Sequence, residues 1–83
     1  MTATTKKDIT RWFNEGKDAG NSHMIVAVDT FDYEDYPVYV PRGTDAKRRV
    51  NSINAAPMSR VMEVYSYDIP LEDQINVRFA NFT

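Results

Sequence analysis

Four carboxylates, Asp29, Asp32, Glu34 and Asp35, crowd one short run, Asp29-Thr30-Phe31-Asp32-Tyr33-Glu34-Asp35-Tyr36, and alternate there with three aromatic rings. Oxygen ligands at this density suit a hard cation such as Mg²⁺ or Ca²⁺. A metal-dependent hydrolase would draw on Asp29, Asp32 and Glu63. The spacing is not that of a calcium loop, because no glycine lies inside it and no distal Glu closes it. No metal is therefore assigned. Aspartates also make turns by bonding their own backbone, which accounts for the acids without a ligand. The rings move the reading toward recognition, since tyrosine pairs a large apolar body with a polar tip and is enriched at interfaces. Asp32, Tyr33, Glu34, Asp35 and Tyr36 are the candidate partner-binding residues, with acids for steering and rings for contact energy.

The basic residues Arg42, Lys47, Arg48, Arg49 and Arg60 follow the acidic run. Their plain reading is a solvated helix face. The sharper reading is a clamp of Arg42, Arg48, Arg49 and Arg60 on the phosphates of a nucleotide, with a tyrosine stacked on the base. Arg42-Gly43-Thr44 is a turn into a helix and lacks the glycine-rich cradle of a phosphate loop. A third reading joins the two charge clusters: the acidic run of one copy against the basic helix of another, giving a homo-oligomer. His23 is the single histidine, and neither Ser22 nor Ser66 sits in a nucleophile elbow. A general base needs a nucleophile and an orienting group within reach. No catalytic residue and no cofactor are assigned, and the expectation is a protein that is not an enzyme.

The elements that must position these residues are legible from periodicity. Thr5-Lys6-Lys7-Asp8 reads as a capping box with Asp8 in place of the usual Glu. Ile9, Trp12 and Phe13 recur at helical spacing, so a first helix is expected from about Lys6 to Ala19, stopped at Gly20-Asn21. Trp12 belongs with Ile9 and Phe13, packed on a sheet. His23-Met24-Ile25-Val26-Ala27-Val28 is a continuous apolar run, expected as a central strand covered by helices. Val38-Tyr39-Val40, between Pro37 and Pro41, is a short edge strand. The two strands should pair as an antiparallel hairpin with the acidic run at or near its turn.

Thr44 and Asp45 open a second helix, whose buried stripe is Ala46, Val50 and Ile53 and which ends between Asn54 and Pro57. Arg60 to Tyr67 alternates as a third strand, with Val61, Glu63, Tyr65 and Tyr67 on one face and Met62, Val64 and Ser66 on the other. On that face Glu63 needs solvent, an edge or a partner. In the tail, Leu71, Ile75, Phe79 and Phe82 fit a third helix after Pro70, although Ile75, Val77 and Phe79 also alternate as a strand.

Eighty-three residues make one domain, 1–83, with its first five residues frayed. The chain has no cysteine, so neither a disulfide nor a thiolate zinc site can staple it. Its net charge of −2 gives no basic excess for nucleic acid. The polar start lacks the apolar core of a signal peptide, and no run reaches the roughly 18 apolar residues of a membrane span. The expected location is the cytoplasm. The expected fold is α+β, a small, mainly antiparallel three-stranded sheet with helices packed on it, in the order α-β-β-α-β-α.

From Trp12-Phe13 through Tyr65, the chain resembles a family of short proteins encoded by bacteriophages and prophages. The resemblance rests on His23-Met24-Ile25-Val26, on Asp29-Thr30-Phe31-Asp32-Tyr33-Glu34-Asp35-Tyr36-Pro37-Val38-Tyr39-Val40, and on Arg60-Val61-Met62-Glu63-Val64-Tyr65 after the second helix. It brings no catalytic residues with it. It implies an accessory protein working in an infected bacterial cytoplasm, and by analogy of setting one that binds and inhibits a host or host-defence protein.

Overall fold

The computed structural model describes residues 5–75. Helix α1, Lys6–Lys17, begins at the expected capping box. The Asp8 N–H donates to Thr5 Oγ1 at 3.2 Å, and the Thr5 N–H donates to Asp8 Oδ2 at 3.1 Å. The Thr5 N–H and the Thr5 hydroxyl both donate to Asp8 Oδ2, each at 3.1 Å, and hold the Asp8 carboxyl below its usual value, with Arg11 and Lys7 adding to the effect. Strand β1, Asn21–Asp29, runs through the middle of the sheet, between β2, Glu34–Pro41, and β3, Ser59–Ser66, and is antiparallel to both. Helix α2, Ala46–Ala55, connects the two edge strands, and a single turn, α3, Leu71–Gln74, follows β3. The expected α+β fold and its element order are thus what the chain forms. The expected tail helix beyond Gln74, with Phe79 and Phe82, and residues 1–4 of the five expected to fray lie outside the described residues; the fifth, Thr5, is held as the cap of α1.

A strand stretch covered on both faces must be apolar, and residues Met24 to Val28 of β1 are. Met24 and Val26 point to α1, where they join Ile9, Phe13, Tyr65 and Ile75, with Trp12, Tyr39, Tyr67 and Leu71 around them. Ile25 and Ala27 point to α2, where they join Val40, Ala46, Ile53 and Val64. Each large aliphatic side chain buried in this way contributes about 1.5–3 kcal/mol. Trp12 is half-buried at the rim of the first cluster, as its spacing implied.

Three features of the sheet depart from a reading by alternation. The second strand begins at Glu34, so Glu34, Asp35 and Tyr36 lie in β2 and only Thr30 to Tyr33 make the turn. The register against β1 shifts between Val26, opposite Glu63, and Ala27, opposite Val61, so Met62 is an extra residue. This bulge puts Val61 with the α2-side cluster and leaves Met62 exposed, which corrects the expected faces of the third strand. Finally, Asp45 rather than Thr44 caps α2: its Oδ1 accepts the Lys47 and Arg48 N–H groups, while the Thr44 hydroxyl donates back to the Pro41 carbonyl at 2.6 Å.

Among the described residues, no helix is long and apolar enough to cross a membrane.

Candidate protein-binding end of the sheet

The two ends of β1 carry different structures. At its C-terminal end, the β1–β2 turn and the α2–β3 turn lie side by side, joined by the Thr30 N–H donating to the Met58 carbonyl at 2.9 Å. The hairpin turn is made by its own carboxylates. Asp29 Oδ1 accepts the Phe31 N–H at 2.8 Å, and Asp32 Oδ1 accepts the Glu34 N–H at 3.0 Å. The Tyr33 N–H closes the turn on the Asp29 carbonyl at 2.6 Å. Two of the four carboxylates therefore shape the turn, each through one oxygen, while their charge stays at this end of the molecule.

Tyr33, at φ 59°, and Met58, at φ 67°, are the non-glycine residues with positive φ among the described ones, one in each of these adjoining turns. The left-handed region costs a residue with a Cβ about 1 kcal/mol, and Gly or Asn is its usual occupant. Here a tyrosine and a methionine occupy it instead. Their side chains are 61% and 56% exposed, and Phe31 beside them is 75% exposed. Three large apolar side chains thus stand in solvent over two adjoining turns, with Asp32 and Glu34 exposed among them. Single exposed apolar residues are ordinary; a group of them marks a contact surface.

The other predicted contact residues fall close by with different roles. Asp35 lies opposite Val28, and Arg60 lies opposite Val28 from the other edge, so Arg60 belongs to the acidic end. Tyr36 is half-buried against the α2-side cluster, and its hydroxyl donates to Ser59 Oγ at 3.4 Å, so this ring supports the sheet as well as its surface. Phe31 was part of the acidic-aromatic run without being singled out. Met58 carried no signal of its own, since its exposure follows from a turn conformation that only the folded α2–β3 connection imposes.

The basic residues do not form one clamp. Arg42 follows Pro41, at the β1 N-terminal end, and its guanidinium binds Asp68 Oδ1 at 3.0 Å, holding that carboxyl below its usual value. Arg60 is at the opposite end of the sheet. Arg48 and Arg49 line an open cleft of about 620 Å³ between the end of β2 and the first turns of α2. Asp45 shares that cleft, and its carboxylate already occupies the helix N-terminus that an anion would seek. Tyr39 also lines the cleft, but its hydroxyl is committed to the α1 side, where it donates to the Trp12 carbonyl at 2.9 Å.

Glu63 is buried, and the Tyr65 hydroxyl donates to its Oε2 at 3.0 Å. The partner it needed is thus a core tyrosine, on the α1 face and away from the turn carboxylates Asp29 and Asp32. Among the described residues, no three His, Asp or Glu side chains are grouped as a metal site. His23 is half-buried, with Nδ1 2.9 Å from the Ser22 hydroxyl.

Both sheet edges are blunted. Pro37 and Pro41 withdraw donors from β2. On β3 the Val61 N–H donates to Asn54 Oδ1 at 2.8 Å. The Gln74 amide accepts the Ser66 N–H at 2.9 Å and donates to the Ser66 carbonyl at 2.7 Å, taking the place of a neighbouring strand. Proteins use such devices to stop chains adding to an open edge.

The chain matches no protein-family model, and no curated protein or solved structure is significantly similar to it.

Proposed function

We propose that this chain is a non-enzymatic binding protein that captures another protein with the hairpin end of its sheet. In the phage setting that the sequence resemblance implies, the captured protein is a bacterial host or host-defence component in the cytoplasm, inhibited by being occupied. The observation that carries the reading is the pair of strained turn residues, Tyr33 and Met58, which hold large apolar side chains in solvent where a small residue would be more stable. Strain of this kind, kept against stability, collects at functional sites. Asp32, Glu34 and Asp35 add the charge that steers a basic partner, and Tyr36 anchors the strand behind them.

Pull-down from bacterial lysate tests this directly. The wild-type chain should retain a defined protein, and Tyr33→Ala should lose it with no fall in melting temperature. Equal capture by Tyr33→Ala would refute the reading. A second reading, a small anion held by Arg48 and Arg49 in the cleft beside α2, is favoured by that cleft alone. It predicts thermal stabilisation by nucleotides or phosphate, lost in Arg48→Ala.

A further inference from the structure

We infer that Phe31, Tyr33 and Met58 act as one apolar ridge that receives a basic amphipathic helix of the partner protein. This rests on the reading of the hairpin end as a protein-binding surface, and adds to it a residue from a second loop and the chemistry of the occupant.

The ridge is built from two turns rather than one, because the Thr30–Met58 hydrogen bond fixes the α2–β3 turn beside the hairpin. An apolar ridge alone would accept any greasy surface. This one lies in a rim of net negative charge, with Asp32 and Glu34 exposed beside it and Asp29 and Asp35 at the adjoining strand ends, against the single charge of Arg60 from β3. Such a rim repels phosphate and anionic lipid, and favours a surface whose apolar stripe is flanked by Lys or Arg.

The blunted edges decide what form that surface takes. An extended peptide gains affinity by adding main-chain hydrogen bonds to an open strand. Here Asn54 and Gln74 already hold the Val61 and Ser66 backbone groups of β3, and Pro37 and Pro41 interrupt β2. Recognition is left to side chains. A helix has its own backbone groups satisfied, and it presents apolar residues at i, i+3 and i+4 with basic flanks. Met58 suits the role, since a thioether on an unbranched chain adapts to differently shaped neighbours.

A short helical Leu/Lys peptide is the probe, with a Leu/Glu peptide of the same pattern beside it. Both are titrated into the protein while the methyl signals of Met58 and of buried Met24 and the amides of residues 30 to 33 are followed. The Leu/Lys peptide should shift Met58 and the turn amides and leave Met24 in place, more weakly as salt rises from about 50 to about 300 mM. Met58→Asn and Phe31→Ser should each weaken it by about tenfold without lowering the melting temperature. Unmoved turn signals, or equal binding of the Leu/Glu peptide, would overturn the inference. In the lysate experiment, capture lost in Tyr33→Ala but kept in Met58→Asn overturns this inference and leaves the binding reading standing. Capture kept in both variants overturns the two together.

Discussion

Tyrosines at the two ends of β1 are put to opposite uses. At the N-terminal end, Tyr39 from β2 and Tyr67 after β3 grip α1. Their hydroxyls donate to the Trp12 and Phe13 carbonyls, each at 2.9 Å, and the Tyr67 ring stacks on Phe13 with centroids 4.2 Å apart. Asn21 adds a third bond, from Nδ2 to the Gly16 carbonyl at 3.0 Å. The rings come so close that Gly16 has no room for a side chain: a Cβ there would lie 2.5 Å from the Tyr39 ring and meet the Tyr67 hydroxyl. At the C-terminal end, Tyr33 is mostly exposed and strained. The same residue type is structural where a helix backbone offers carbonyls to its hydroxyl, and a contact residue where a turn lifts it clear. The number of tyrosines in a chain therefore says little until each hydroxyl is placed.

The sharpest way to break the contrast is Gly16→Ala. A contact this close puts the overpacking cost at the upper end of its range, about 3 kcal/mol, of which the better helix propensity of alanine offsets about 1, for a net loss of roughly 2 kcal/mol. In a chain of this size that lowers the melting temperature by about 10 °C. Denaturation should record this loss, while Leu/Lys peptide binding at the other end remains in the fraction still folded. A melting temperature equal to wild type would show that the grip is loose.

Alkaline pH separates the two ends next. Burial pushes the Tyr67 and Tyr39 hydroxyls above their ordinary value of 10.0. Tyr39 and the Glu15 charge add to the shifts at Tyr67 and Tyr39 respectively. A group raised in the folded state gives stability that is complete below the unfolded pKa and is lost as pH rises above it, because only the unfolded chain then ionises. Stability should fall above about pH 10. Tyr67→Phe should flatten that fall, while costing about 1 kcal/mol at neutral pH for its lost hydrogen bond. Phe31→Ser, at the other end, removes no ionisable group and should leave the alkaline limb unchanged. An identical alkaline slope in Tyr67→Phe would argue that this hydroxyl is not buried in solution.

Met58→Gly has the smallest effect on stability and the opposite sign. Relief of the left-handed strain should raise stability by about 0.5–1 kcal/mol in urea denaturation, net of the flexibility glycine adds to the unfolded chain. A gain in stability with a loss of binding would mark the hairpin end as strain kept for function. Lower stability would mean that the methionine packs instead.

Much of the contrast was legible before folding. The Thr5–Asp8 capping box, the apolar run from His23 to Val28 and the Ala46, Val50, Ile53 stripe each specify an element by local rules of spacing and capping. The acidic-aromatic run was legible as a feature, but its division was not. Whether Tyr33 stays in the turn while Glu34, Asp35 and Tyr36 enter β2 depends on the pairing of Asp29 with Glu34 across the hairpin. The candidate anion clamp failed to gather for a similar reason. Arg42 and Arg60 are 18 positions apart along the chain, and antiparallel pairing with β1 sends them to opposite ends of the sheet.

The sequence by itself determined the elements, their order and an apolar central strand, because those follow from periodicities of 3.6 and 2 and from capping within a few residues. Tertiary structure decided the bulge at Met62, the tyrosine partner of Glu63, the grip on Gly16 and the joining of Met58 to Phe31 and Tyr33. Each of these depends on which backbone groups meet across strands or loops distant in sequence, and no local pattern encodes that meeting.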